Sequence, residues 1–384
     1  MLWQMPQQPL KPKTTERRLM TNEKQLNELR NQIDELDSRI LDLVNQRARC
    51  AQKVAGVKTE ALAEGDEVIF YRPEREAQVL TRIMENNPGP LSNEEVARLF
   101  REIMSACLAL EKPTTVAYLG PEGTFTQQAS LKHFGHSSVV RPMSTIDQVF
   151  REVEAGAVDY GVVPVENSSE GIVSHTLDSF MHSDLKIVGE VELRIHHNLM
   201  ISANTDPGRI TRVYSHSQTF AQCRRWLDEN YPGVDRIAVN SNAEAAKRVC
   251  GEWNSAAIAG DIAAELYELK ILNERIEDRP DNTTRFLIIG REMTEPSGRD
   301  KTSVMLSARN KPGALLELLT PFKERKIDLT RLETRPSPTQ KWSYVFFLDF
   351  AAHVKDSDVQ EALDRLADIG CEVKVLGSYP VAVL

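Results

Sequence analysis

Between Thr21 and Val57 the chain carries no proline, and Leu26, Leu29, Ile33, Leu36, Ile40 and Leu43 recur at alternating steps of three and four. That period lines apolar residues along one side of a long helix. A straight helix of about 35 residues is about 50 Å long, more than a small domain can cover by itself. The stripe is therefore expected to pack against a second copy of the chain, so a homodimer or a dimer of dimers is the expected assembly.

Further breaks divide the remainder. Pro73 to Asn86 reads as a second helix, Pro88-Gly89-Pro90 ends it, and Ser92 with Glu95 forms a capping box for a third helix ending near Glu111. The first domain, residues 21–112, is therefore expected to be all-helical, behind an unstructured leader over residues 1–20. After Lys112-Pro113-Thr114-Thr115 the texture changes to short apolar strands alternating with helices, at Val116–Leu119, Tyr160–Pro164, Leu185–Val191, Asn198–Ser202, Arg212–Tyr214, Ala256–Ala259 and Phe286–Gly290. Alternation of this kind predicts an α/β domain over residues 115–293, long enough for two lobes. Beyond a polar linker at Glu295–Asp300, residues 301–380 spell strand, helix, strand, strand, helix, strand, the ferredoxin-like βαββαβ order. The fold class is thus multidomain, α followed by α/β.

A formal net charge of -9 argues against a general nucleic-acid binder, because phosphate neutralisation needs a basic field. Five widely spaced cysteines form no metal-ligand pattern and read as reduced thiols. No apolar run approaches the roughly 20 residues that span a bilayer, and Met1 to Arg18 lacks the apolar centre of a signal peptide. A cytoplasmic protein with no membrane partner is expected. His196 and His197 are adjacent, and adjacent residues on a strand face opposite ways, so no metal is expected there.

Arg30, Arg47, Lys58, Arg75 and Glu111 stand among apolar helical faces, and singly each reads as a solvated charge. Their order is more specific. Leu29-Arg30-Asn31-Gln32-Ile33-Asp34, then Asn45-Gln46-Arg47, Lys58 and Arg75-Glu76 resembles the all-helical chorismate mutases over Thr21 to Glu111. The resemblance implies that Arg30 and Arg47 bind the carboxylates of chorismate, that Lys58 donates to the breaking ether, and that Glu76 meets the substrate hydroxyl with Arg75 close by. Such a rearrangement needs orientation and electrostatic stabilisation rather than a nucleophile. Arg30 and Arg47 lie seventeen positions apart, about 25 Å along one helix, too far for one small substrate to touch both in one chain. Arg30 is therefore expected to enter the site from the partner chain. The sequence departs from some relatives at Arg72, Cys107 and Glu111, where they have aspartate, serine and glutamine. Glu111 could donate to the ether only while protonated.

Four polar segments sit at strand ends: Tyr118–Thr126, Pro164–Gly171, Tyr214–Gln218 and Asn282–Phe286. They suggest one cleft. Together they resemble prephenate dehydratase, with Thr284-Arg285-Phe286 as the distinctive motif, and imply a two-lobed, periplasmic-binding-protein-like α/β fold. By that resemblance Thr284 assists departure of the prephenate hydroxyl and Arg285 anchors an anionic group. Glu166, Asn167, Ser168, Ser215, His216 and Gln218 are the remaining cleft candidates. A threonine is a poor acid alone, so a proton comes from a neighbour or solvent, with Glu166 and His216 as candidates. For Ser168, His216 and Gln218 a purely structural hydrogen bond is an equal reading.

Lys311-Pro312-Gly313-Ala314-Leu315 and Leu332-Glu333-Thr334-Arg335-Pro336 resemble the ACT domain found behind prephenate dehydratases, which usually has serine at the Thr334 position. A glycine opening a helix allows a ligand close to backbone N–H groups. The resemblance implies L-phenylalanine as allosteric effector, held between Gly313, Ala314 and Leu315 and a wall of Glu333, Thr334, Arg335 and Pro336. Jointly the three resemblances imply chorismate and prephenate as substrates, phenylpyruvate as product, and no cofactor. A non-catalytic amino-acid-binding protein is the rival reading, disfavoured by Thr284, Arg285 and the cation set.

Overall fold

The computed structural model of the chain describes residues 14–60, with side chains from 22, and residues 70–307, 311–336 and 344–383. The chain divides after residue 68 into two compact units. Among its described residues the first contains the helix α1 (Thr14–Glu60), of 47 residues. It begins at Thr14 rather than at the expected Thr21, and the rest of the expected leader, residues 1–13, lies outside the described residues. Leu26, Leu29, Ile33, Leu36, Ile40 and Leu43 are each more than half exposed on it. Among the described residues no helix is long and apolar enough to cross a membrane.

The second unit opens with the hairpin α2 (Pro73–Glu85) and α3 (Asn93–Ala109). Proline starts α2, where its missing N–H costs nothing, and Ser92 Oγ caps α3 by accepting from Glu95 N at 3.2 Å.

Lobe one then contributes β1 (Thr115–Leu119), α4 (Phe125–Phe134), β2 (Val139–Met143), α5 (Ile146–Glu154), β3 (Tyr160–Asn167), the short β4 (Gly171–Ile172), α6 (Ser174–His182) and β5 (Lys186–Arg194). The chain crosses to lobe two for β6 (Asn198–Ile201), β7 (Arg212–His216), α7 (Ser217–Gln222), α8 (Arg224–Asn230), β8 (Asp235–Val239), α9 (Asn242–Val249), β9 (Ser255–Ala259), α10 (Asp261–Leu266) and β10 (Lys270–Asn273). It returns as β11 (Thr283–Gly290), which inserts antiparallel between β3 and β5 to give the order β2-β1-β3-β11-β5. Lobe two has the matching order β10-β6-β9-β7-β8. The two crossing segments are zipped together by Ile195 N to Asn282 O, 2.8 Å, and Ile276 N to His197 O, 2.8 Å.

Besides the two-residue β4 beside β3, the strands not expected from the sequence are β2, β8 and β10, all of them sheet edges. The residues of these three edges are mostly exposed or half-buried, and Pro142 sits in β2, so none shows the apolar run of a central strand. Three segments read as turns, Glu166-Asn167, Ser215-His216 and Thr283–Arg285, are strand residues instead.

The C-terminal domain runs β12 (Asp300–Ser307), α11 (Ala314–Glu324), β13 (Leu329–Pro336), β14 (Tyr344–Phe350), α12 (Ser357–Asp368) and β15 (Glu372–Pro380), with antiparallel order β13-β14-β12-β15. One face packs α11 and α12 around Leu318, Phe322, Phe350 and Leu366. The other shares a core with lobe one, where Val345, Phe347, Leu376 and Tyr379 meet Val163, Val165, Leu287 and Ile289. Gly377 permits this approach: a Cβ there would stand 2.1 Å from the Ile187 carbonyl oxygen.

Candidate active site

The cleft chemistry is built on β11 and β3. Thr284 pairs with Asn167 across these strands and Arg285 pairs with Glu166, but Phe286 then pairs with Pro164, leaving Val165 as a bulge. A bulge turns the side chains beyond it to the opposite face. It thereby brings Asn167 onto the same side as Thr284.

Asn167 is a hub. Its Oδ1 accepts from the backbone N–H groups of Ser169, 2.9 Å, and Glu170, 3.1 Å. Those groups can only donate, so the amide orientation is set and Nδ2 is the face turned inward. Nδ2 donates to Thr284 Oγ1 at 2.8 Å and to Asn282 Oδ1 at 2.9 Å. Thr284 is 9% exposed, and with its oxygen already accepting from Asn167 its own proton is left to point elsewhere. Ser168 ties the same hairpin to β11: its Oγ accepts from Thr283 N at 2.9 Å, and its N–H donates to Thr283 O at 2.9 Å.

The network continues into lobe two. Asn282 Nδ2 donates to Gln222 Oε1 at 3.2 Å, and Gln222 Nε2 donates to Glu170 Oε1 at 3.2 Å. With Gln222 so oriented, its Oε1 also takes the Nε2–H of His197 at 2.7 Å. Burial holds His197 below the usual histidine range, so its ring is neutral and its buried Nδ1 has no partner. His196 instead meets Glu277 at 2.7 Å, so the adjacent imidazoles serve different partners. Burial pushes the Glu170 carboxyl above its ordinary value, with His216 and the Gln222 amide acting against it.

Of the residues expected in the cleft, Asn167, Ser168 and Thr284 come together, and His216 stands near Glu170. Others are placed elsewhere. Ser215 is fully buried in lobe two, bonding Asn242 Oδ1 and Ile258 O, both at 2.9 Å. Gln218 contributes its backbone N–H to His216 Nδ1 at the start of α7. Glu166 faces away from Thr284, and its carboxylate lies 3.4 Å from Arg331 of β13. Arg285 also points backwards, because neighbours on a strand face opposite ways. It bonds Glu190 at 2.8 Å, Asp349 at 2.8 Å and Tyr379 OH at 3.0 Å. A substrate anchor in the cleft is therefore not where this guanidinium lies. The sequence reading omitted Gln222, Asn282, Glu170 and His197 as site residues. Glu170 and Asn282 belong to the polar strand-end segments, and Gln222 lies one helical turn beyond Gln218.

On α1, Arg47 and Lys58 are eleven positions apart, about three turns, and project from the same side, while Arg30 lies about 25 Å from Arg47 along the axis. On α2, Arg75 is exposed, whereas Glu76 turns to Arg101 of α3 at 3.1 Å, and Arg101 also donates to Lys132 O at 3.0 Å. Burial raises the Glu76 carboxyl and Arg101 draws it back down. Glu111 follows α3 in a turn closed by its N–H to Leu108 O at 2.9 Å.

In the C-terminal domain, Gly313 adopts φ +82° immediately before α11, a left-handed conformation that favours glycine. Ala314 and Leu315 begin that helix. Along β13, Leu332, Thr334 and Pro336 are exposed, while Arg331, Glu333 and Arg335 are partly covered. Arg335, expected in the effector wall, instead makes a two-pronged pair with Asp178 of α6, 2.8 and 2.9 Å, and donates to Ser174 Oγ at 3.0 Å.

A helical segment, a two-lobed α/β cleft with an amide-held threonine, and a ferredoxin-like module sharing its core define a multidomain protein of helical and α/β parts built around an interlobe cleft. The family profile of chorismate mutase type II matches residues 29–112, that of prephenate dehydratase residues 116–294, and that of the ACT domain residues 302–368. The chain is 63% identical over 365 residues to the bifunctional chorismate mutase/prephenate dehydratase of Pseudomonas aeruginosa, covering 95% of this chain and 100% of that one. It is 50% identical to the protein of the same description from Neisseria gonorrhoeae, covering 92% and 97%. Among solved structures it resembles prephenate dehydratase from Arthrobacter aurescens in complex with L-Phe, at 34% identity, TM-score 0.64, and coverage of 70% of this chain and 90% of that one. The chain belongs to the bifunctional chorismate mutase/prephenate dehydratase family.

Proposed function

We propose that this enzyme rearranges chorismate to prephenate in its helical N-terminal part and converts prephenate to phenylpyruvate in the interlobe cleft. L-phenylalanine binds the ACT domain and inhibits the second step. The observation that carries the dehydratase half is the Asn167 amide donating to Thr284 Oγ1 at 2.8 Å, which leaves the threonine proton free for the substrate.

In this step the ring carboxylate leaves as carbon dioxide, the electron pair of its broken bond enters the ring, and the ring hydroxyl takes a proton and leaves as water while the ring becomes aromatic. The intrinsic driving force is large, so help at the departing oxygen suffices. Thr284 donates there, and its proton is replaced from a neighbour or solvent. Glu166 is turned away and paired with Arg331, so Glu170 and His216 are the better-placed sources.

In the mutase half, Arg47 and Lys58 act with the partner subunit's Arg30, Arg75 assists, and a protonated Glu111 donates to the ether. The exposed apolar stripe on α1 supports pairing with a second copy, since a three-and-four spacing is what two helices need to interlock. Further pairing gives a dimer of dimers. Five unpaired thiols support a reducing, cytoplasmic setting.

The test feeds chorismate to purified enzyme and follows prephenate and phenylpyruvate with time, for wild type and Thr284→Ala. The variant accumulates prephenate. Unchanged phenylpyruvate production by Thr284→Ala would refute the assignment.

A further inference from the structure

The back of the catalytic strand pair is gripped by the C-terminal sheet. Thr284 and Asn167 form one cross-strand pair of β11 and β3, and the next pair is Arg285 and Glu166. Both members of that second pair reach the C-terminal domain. Arg285, 11% exposed, meets Asp349 of β14 and Tyr379 of β15, and Glu166 meets Arg331 of β13.

The surrounding groups fix the guanidinium in place. Glu190 of β5 bonds Arg285 at 2.8 Å and Lys301 of β12 at 2.7 Å. Asp349 also accepts from Ser303 Oγ at 2.6 Å, and Ser303 meets Tyr379 OH at 2.9 Å. A second grip lies nearby, where Arg335 of the expected effector motif holds Asp178 and Ser174 on α6, the helix that follows the Asn167 hairpin. Packed interfaces of this kind have discrete arrangements rather than a continuous range.

We propose that Arg285 is a positioning residue for Thr284, and that the C-terminal sheet regulates the cleft from behind by moving Arg285 through Asp349 and Tyr379, with Arg331 acting on Glu166 in parallel. The proposal rests on the dehydratase and phenylalanine-sensor reading above. Effector binding shifts the sheet, the shift is transmitted one residue along β11, and the Thr284 hydroxyl loses its aim. A ligand can do this only by binding the two arrangements unequally.

The test uses the full chain with Asp349→Asn, Tyr379→Phe, Arg285→Lys and Arg285→Gln. Tyr379→Phe removes a single hydroxyl and keeps the packing if the charge variants fail to fold. For each, dehydratase kcat and KM, phenylalanine binding by calorimetry and the inhibition midpoint are measured, with mutase activity as the folding control. Expected for Asp349→Asn and Tyr379→Phe is an inhibition midpoint moved about tenfold or more away from the calorimetric dissociation constant, a typical size for site-to-site coupling. Arg285→Gln lowers kcat with prephenate KM little changed, and Arg285→Lys restores part of it. Inhibition that still tracks binding in both sheet variants overturns the proposal. So does a KM effect that dominates in the Arg285 variants, which would place the guanidinium on substrate. A wild type that neither dehydrates prephenate nor binds phenylalanine instead sinks the underlying reading.

Discussion

Replacing Asn167 by aspartate tests the amide donor on which the proposed role of Thr284 rests. The carboxylate keeps the acceptor that Ser169 N and Glu170 N use at 2.9 and 3.1 Å, so the hairpin after β3 stays folded. It removes the Nδ2 donor at 2.8 Å from Thr284 and 2.9 Å from Asn282. The Thr284 hydroxyl then turns to donate to the new carboxylate and is withdrawn from the substrate. Loss of one donor aimed at developing charge costs about 10²–10³ in kcat, or about 2.7–4 kcal/mol. The added negative charge also opposes an anionic substrate, so KM rises. Asn167→Ala removes the same donor without supplying a competing acceptor, so Thr284 can still reach the substrate and the loss is smaller. Steady-state conversion of added prephenate measures both variants, with mutase activity in the same preparation as the folding control. An aspartate variant within about threefold of wild type, or one less damaged than the alanine variant, refutes the reasoning.

Three further outcomes follow from other contacts. Burial raises Glu170, so if it supplies the proton it works below its folded pKa; dehydratase kcat falls as pH rises through that value, and Glu170→Gln shows a lower, flatter profile. Gly377→Ala places a methyl 2.1 Å from Ile187 O and 2.7 Å from Ile187 N, both backbone atoms that cannot yield cheaply. A cost of about 1–3 kcal/mol or more is expected from such overpacking, read as a lower urea midpoint with weakened phenylalanine inhibition. Mutase activity falls at high pH where a protonated Glu111 is required, and Glu111→Gln restores it there; a flat wild-type profile contradicts the role.

Local pattern determined the order of the helices and central strands named below, because helix and strand periods are written into neighbouring residues. The α1 stripe, the Ser92 cap, the central strands and the βαββαβ order of the last domain were all legible in the sequence. Edge strands such as β2 were not, since exposure on one side removes the apolar run that marks a strand. The distinction between Thr284 and Arg285 was equally hidden. Adjacent letters of one motif serve opposite faces of β11, one in the cleft and one against Asp349 and Tyr379. Arg335 likewise reads as an effector contact until Asp178 and Ser174, more than 150 positions earlier, are seen beside it. Only tertiary structure decided these assignments: the Val165 bulge, the return of β11 between β3 and β5, and the shared core beneath the C-terminal sheet set which way each side chain points, and all three arise from pairings between distant parts of the chain.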